Sequence, residues 1–441
     1  MLQLQTRILQ LAWPIMLSNI TVPLLGLVDT AVLGHLSDVQ YLGAVALGSQ
    51  VLTLMLWSFG FLRMGTTSLS AQAVGENQLN PQLNNSIRIL YNGLFLAAVI
   101  SIPLLMASFL MLDNIIMMIG GSAEVQKLAS EYVGIRLYAT PAVLFQYVLI
   151  GWFIGRGETK VPLLILIVSN SINAALDIIL VYGYGMTSNG VAVASAVADY
   201  SAASLGIYMA YRTLKKEHSL EGFILKWPTW VQLKPMVNIN HQLFVRTLCL
   251  LSVFIFFTAQ GAKQGDLILA VNAIMLTILL LISNALDGFA HAAEALVGQK
   301  LAAKQYNQLQ QSIWLTGINA FIIALLMAVL FGWQSENLLA LLTDQQDVLF
   351  VAKEYSLWLI WLPLIGFSSY WLDGIFIGMQ ASAQMRNSMI LAVFLVFLPT
   401  WYGTQDWGNH GLWAAFYAFL LARSVFMIPA FINMLKNTRT A

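Results

Sequence analysis

The chain is 441 residues long, 59% apolar and only 9% charged, with 21 basic and 20 acidic residues and a net charge of +1. An ordinary soluble domain carries roughly 25% charged residues, so this composition excludes a soluble enzyme, a nucleic-acid binder and a disordered chain. It predicts an integral membrane protein whose partner is the lipid bilayer, with no nucleic acid involved.

A spanning helix needs about 20 mostly apolar residues. Such stretches predict helices at 8–34, 42–74, 87–112, 125–154, 159–182 and 189–212, then at 239–262, 267–298, 309–333, 347–378, 385–404 and 409–435. The first holds Arg7 and an apolar run that Asp29 interrupts, with no small-residue cleavage pattern. It reads as a membrane helix, not a removed signal peptide. Residues 213–238 are the longest polar stretch and include Lys215, Lys216, Glu217, Glu221, Lys226 and Lys234. They read as a cytoplasmic linker between an N-lobe, 1–212, and a C-lobe, 239–441. None of the runs alternates like a barrel strand. The expected fold class is therefore all-α integral membrane, with twelve transmembrane helices in two six-helix lobes.

The halves read as repeats. Tyr147-Val-Leu-Ile-Gly-Trp-Phe-Ile-Gly155 matches Tyr370-Trp-Leu-Asp-Gly-Ile-Phe-Ile-Gly378 at six of nine positions, an offset of 223. The same offset pairs Gly65 with Gly288 and Val74-Gly75 with Val297-Gly298. An even number of helices per repeat relates the lobes by a pseudo-two-fold axis along the membrane normal. Lys and Arg gather in the loops of one side, among them Arg88, Arg156, Lys160, Arg212, Lys300, Lys304, Arg386 and Lys436. By the positive-inside rule both termini are expected to be cytoplasmic.

Enzyme motifs are thin. The five histidines never fall at metal-ligand spacing, and no phosphate loop or nucleophile elbow is present. The expectation is no enzyme, no metal and no cofactor. What remains is intramembrane charge, which is costly and usually faces an interior or a watery cavity. Asp29 stands on the first helix with Pro14 and Pro23, and a mid-helix proline supplies a kink. Asn170, Asn173 and Asp177 fall at i, i+3 and i+7 on the fifth predicted helix, one polar face. Ser195 and Asp199 lie four apart on the sixth. Burial and like charge raise carboxylate pKa values in general, which suits such a cluster to proton loading; carboxylate, amide and hydroxyl oxygens equally suit sodium. The competing reading is that amides and hydroxyls simply join helices. In the second half Arg246 has Asp287, Glu294 and Asp373 as candidate partners, a pairing that more often holds helices together than carries transport. Gly151-x-x-x-Gly155 and Gly374-x-x-x-Gly378 read as packing motifs.

Ser18-Asn-Ile-Thr-Val-Pro-Leu-Leu-Gly-Leu-Val-Asp-Thr-Ala-Val-Leu-Gly-His-Leu36 resembles helix 1 of the MATE (multidrug and toxic compound extrusion) transporters, in their DinF branch. Arg63-Met-Gly-Thr-Thr-Ser-Leu-Ser-Ala-Gln72, Gly155-Arg-Gly-Glu-Thr159 and Leu286-Asp-Gly-Phe-Ala290 resemble it too. The resemblance implies a MATE-like antiporter of the bacterial inner membrane, acting as a monomer on small amphipathic, often cationic compounds. It implies H⁺ or Na⁺ as coupling ion and a coupling site on Asp29, Asn173 and Asp177, with Ser195 as the hydroxyl position and Pro14 and Pro23 as the helix 1 hinge. The other bacterial branch uses a glutamate on helix 7, where this chain has only Arg246. Asp373 falls where that branch has a C-lobe acid. A flippase for lipid-linked substrates is the other transport reading; it requires cationic residues lining a cavity, for which Arg63, Arg136 and Arg246 are the candidates.

Overall fold

Long apolar runs punctuated by Gly, Pro and Ser fold here as helices and nothing else among the described residues. The computed structural model describes residues 2–34, 38–80, 85–120, 122–219, 226–343 and 345–440, with backbone only at 20, 22–31, 34, 39, 119, 437, 439 and 440. Part of the predicted linker, including Glu221, and the His35-Leu36 end of the helix 1 motif lie outside the described residues.

The first half runs α1 (Leu2–Gly34), α2 (Val39–Trp57), α3 (Phe61–Leu79), α4 (Asn85–Ile119), α5 (Ala123–Leu137), α6 (Thr140–Gly155), α7 (Lys160–Ile178) and α8 (Ser188–Lys216). A π-helical turn, Ile179–Gly183, extends α7. The second half runs α9 (Trp230–Lys263), α10 (Asp266–Ala302), α11 (Tyr306–Ala340), α12 (Gln346–Glu354), α13 (Ser356–Gly378), α14 (Ser382–Leu391), α15 (Leu398–Thr404) and α16 (Asn409–Thr440). A second π turn, Ala392–Phe397, joins α14 to α15.

Each predicted span is present, and several are broken. The second is α2 plus α3, interrupted where the Ser58 hydroxyl donates back to Met55 O at 2.6 Å and Gly60 follows. The fourth is α5 plus α6, bent by 52°. Pro141 at the start of α6 lacks the N–H that would continue α5. The tenth is α12 plus α13, parted at Tyr355. Ten helical stretches are each long and apolar enough to cross a bilayer, and the bent α5–α6 pair makes another. Outward-facing side chains agree: Leu110 is 80% exposed, Met118 86% and Trp333 79%. Such exposure is costly in water and neutral against lipid. This is a multi-pass membrane protein.

The chain divides into two compact units, residues 17–240 and residues 1–16 with 241–441. In the first unit one apolar core joins α1, α2, α4, α5 and α8 through Val32, Leu52, Leu112, Tyr132 and Val191. In the second, Phe257, Met275, Leu362, Phe397, Trp413 and Phe416 form a larger, aromatic core.

The glycine motifs do the same work in each unit. A Cβ on Gly151 would lie 2.4 Å from Arg63 O and one on Gly155 2.5 Å from Thr67 O, so α6 meets α3 backbone to backbone. On α13, a Cβ on Gly374 would lie 2.3 Å from Ala290 O and one on Gly378 2.8 Å from Glu294 O. Here the same helix pair of the repeat, α10 with α13, meets about one turn further along. Close approach of this kind needs glycine.

Candidate functional site

The fifth predicted helix is α7, and its polar face is buried. Asn173 is 1% exposed, Asp177 0% and, on α8, Ser195 6%. The i, i+4 spacing stacks Asn173 over Asp177. The Asn173 amide bridges the two helices. Turned to satisfy both ends, its nitrogen donates to Asp177 Oδ2 at 3.1 Å, and its oxygen accepts from Ser195 N at 3.2 Å and Ser195 Oγ at 2.9 Å. Carboxylate, amide and hydroxyl thus form one chain across α7 and α8, a donor–acceptor set that can hold a proton or a small hard cation.

Asn170, one turn earlier, does not join this chain. Its Nδ2 donates to Thr21 O of α1 at 3.1 Å. On the far side, Tyr182 OH in the π turn donates to Val32 O of α1 at 3.1 Å. Twelve residues of α7 and its π turn therefore run beside eleven of α1, in the same direction. The backbone of Asp29 stands between these clamps, within about one turn of the level of Asp177. The side chains of Asp29 and Pro23 lie outside the described residues. Below the first clamp, Thr21 Oγ1 bonds Ser18 O at 2.7 Å. This back-bonding loosens a helix, two residues before Pro23. Pro14 is buried on α1 in the other unit.

Asp199 belongs elsewhere. Its carboxylate pairs with Arg136 of α5 at 2.6 Å, and Gln146 Nε2 donates to Asp199 O at 2.9 Å. Glu131 accepts from Asn189 Nδ2 at 3.2 Å.

In the second unit Asp373 of α13 is claimed by two guanidiniums. Arg246 of α9 and Arg423 of α16 both bond its Oδ2, the latter at 2.6 Å. All three are at most 7% exposed. Arg423 also lies over the Phe419 ring, 5.7 Å from its centroid. Asp287 of α10 is only partly buried and lies within electrostatic reach of Tyr370, the partner of Ser283. Glu294 lies 3.0 Å from His291 Nδ1 one turn before it. Among the described residues, no three His, Cys, Asp or Glu side chains gather as a metal site.

Two contributors escape a reading of the sequence. Nothing in the sequence marks Tyr182, because a π turn leaves no periodic trace. Arg423 finds its partner, Asp373, 50 residues away on another helix, which local spacing does not show.

The MatE family profile matches residues 14–179 and 243–402. The chain belongs to the MatE family. DNA damage-inducible protein F of Escherichia coli (strain K12) is 38% identical to this MatE chain, over 94% of it and 89% of the relative. A probable multidrug resistance protein NorM of Oceanobacillus iheyensis is 22% identical, over 88% of this chain and 87% of the relative. The fold is that of a MATE crystal structure in the bent conformation, with a TM-score of 0.86, 19% identity, and coverage of 100% of this chain and 99% of that one. The MATE fold expected from the sequence is therefore the fold of this MatE protein.

Proposed function

We propose that the protein is a cation-coupled multidrug efflux antiporter, with H⁺ as coupling ion and Asp29, Asn173, Asp177 and Ser195 as the coupling site. The observation that carries this is the buried Asp177 carboxylate, joined to Ser195 through Asn173 and level with the backbone of Asp29. Protons taken from outside neutralise the carboxylates. Loss of negative charge weakens the hold on a cationic, amphipathic compound and shifts the balance between two conformations, since only a differential interaction can do so. Asn170 and Tyr182 tie α1 to α7, so a change at Asp177 reaches the helix that carries Asp29.

The multidrug part rests on the NorM relative's name, and a bacterial inner-membrane location on the Escherichia coli relative. The protein works as a monomer, spans the bilayer with both termini cytoplasmic, and divides functionally into an N-lobe, 1–212, and a C-lobe, 239–441. Na⁺ is the second reading, because the same oxygens suit a hard cation. A flippase needs exposed cationic lining, whereas Arg136 and Arg246 are engaged by Asp199 and Asp373.

Proteoliposomes given a pH gradient or a sodium gradient, one at a time, test the proposal. Dye export driven by the pH gradient alone is expected. Export driven only by sodium replaces H⁺ with Na⁺, and export under neither gradient removes the antiporter reading.

A further inference from the structure

Gly65 on α3 and Gly288 on α10, separated by the repeat offset of 223, each receive a helix segment whose continuation belongs to the other unit. In the unit of residues 17–240, the opening of α9 lies against α3 and α4. Asn92 Nδ2 donates to Gln232 O at 3.3 Å. A Cβ on Gly65 would fall 2.1 Å from Asn240 Oδ1. In the other unit, the opening of α1 lies against α10 and α11. Gln5 and Asn319 exchange amide hydrogen bonds at 2.8 and 3.1 Å, and Ile8, Leu11 and Ala12 bury against Phe289, Ala292 and Leu296. A Cβ on Gly288 would fall 2.4 Å from Met16 Cγ and 3.0 Å from Ala12 O. Moving Met16 by the same offset lands on residue 239, next to Asn240. The two seats are thus one device built twice, and a methyl group on either glycine would have to displace the side chain seated on it.

We propose that Gly65 and Gly288 are repeat-related latches: the opening segments of α9 and α1 sit on them in this conformation and must leave when the protein switches. Pro235 and Pro14 lie within a turn or two of the seated residues and weaken each helix where a segment has to part from its continuation. The latches are unequal. Asn240 is 3% exposed with neither amide atom hydrogen-bonded, and the Thr66 hydroxyl beside Gly65 is buried without a partner as well. Unmet polar atoms are costly, so the α9 latch holds less firmly than the Gln5–Asn319 side and releases first.

The latches require a protein that alternates between conformations but no particular coupling ion, so the test reads accessibility as well as transport. In a full-length Cys249→Ser background in lipid vesicles, Met236→Cys or Ala12→Cys reports each segment by its rate of maleimide labelling. Both positions are at most 2% exposed here. Gly65→Ala should raise labelling at 236, and Gly288→Ala at 12, by about tenfold, because overpacking a tight contact is destabilising. Gly134→Ala, whose added Cβ meets nothing within 4 Å, should change neither. Asn240→Ala should reverse the effect of Gly65→Ala, and Met16→Ala that of Gly288→Ala, with dye efflux falling and recovering in step. Unchanged labelling overturns the proposal, as does a rise that the paired substitution leaves in place, or a rise with efflux unaffected.

Discussion

Two buried aspartates with opposite surroundings separate the units. Asp373 faces two guanidiniums, Arg246 and Arg423, and its charge is held in place by them. Asp177 is equally buried, but it accepts from the neutral amide of Asn173. The consequences of neutralising each therefore differ in kind. Asp373→Asn leaves two buried positive charges short of their counter-ion, a loss of about 3–5 kcal/mol for a broken buried pair. Its thermal unfolding midpoint in detergent should fall by many degrees. Asp177→Asn keeps the shape and the Asn173 contact, so its midpoint should stay near that of the parent while proton-driven dye export disappears. Asp29→Asn should behave the same way, losing drug resistance at normal membrane abundance. Full resistance from either variant would remove that residue from the coupling step.

Helix α1 owes its placement beside α7 to side chains on α7 and its π turn that reach backbone carbonyls. Tyr182→Phe removes the hydrogen bond to Val32 O and little else. It should lower export severalfold at unchanged pH-gradient dependence, since a neutral hydrogen bond contributes about 1 kcal/mol. Asn170→Ala should add to that loss, and a double variant no worse than either single one would refute two separately contributing clamps. The sequence made α7 legible as a polar face at i, i+3 and i+7, yet it placed Asn170 with Asn173 and Asp177, and the structure turns it toward Thr21. Ser195 and Asp199 likewise share a helix face, while only Ser195 reaches the Asn173 bridge; Arg136, 63 residues away, takes Asp199. Spacing along one helix shows which residues are neighbours on it, and says nothing of what the next helix presents. Breaks were hidden for a related reason. Ser58 and Tyr355 sit within apolar runs that hydropathy cannot divide, whereas Gly151 and Gly374 were readable because close helix packing demands glycine at both.

At the scale of the whole chain, helix length and charge placement fix how it lies in the bilayer. Helix α10 has 37 residues. At 1.5 Å per residue it is about 55 Å long, well beyond a hydrocarbon core of about 30 Å. Its two ends must therefore reach opposite aqueous faces. Lys300 and Lys304 stand at the far end, and Lys263 with Asp266 at the near end. In the proposed orientation, which follows the charge balance over all loops, the Lys300 end faces the cytoplasm and both termini lie on that side. In a Cys249→Ser background, Ala262→Cys and Asn307→Cys report the two faces, both positions being exposed at helix ends. A membrane-impermeant maleimide added to intact cells should label position 262 and spare position 307, and both should react once the cells are broken open. Labelling of 307 in intact cells would invert the chain and place both termini outside. Proton entry from outside would then meet α1 and α7 at the ends opposite to Asp29 and Asp177, and the coupling scheme would have to run in the other direction.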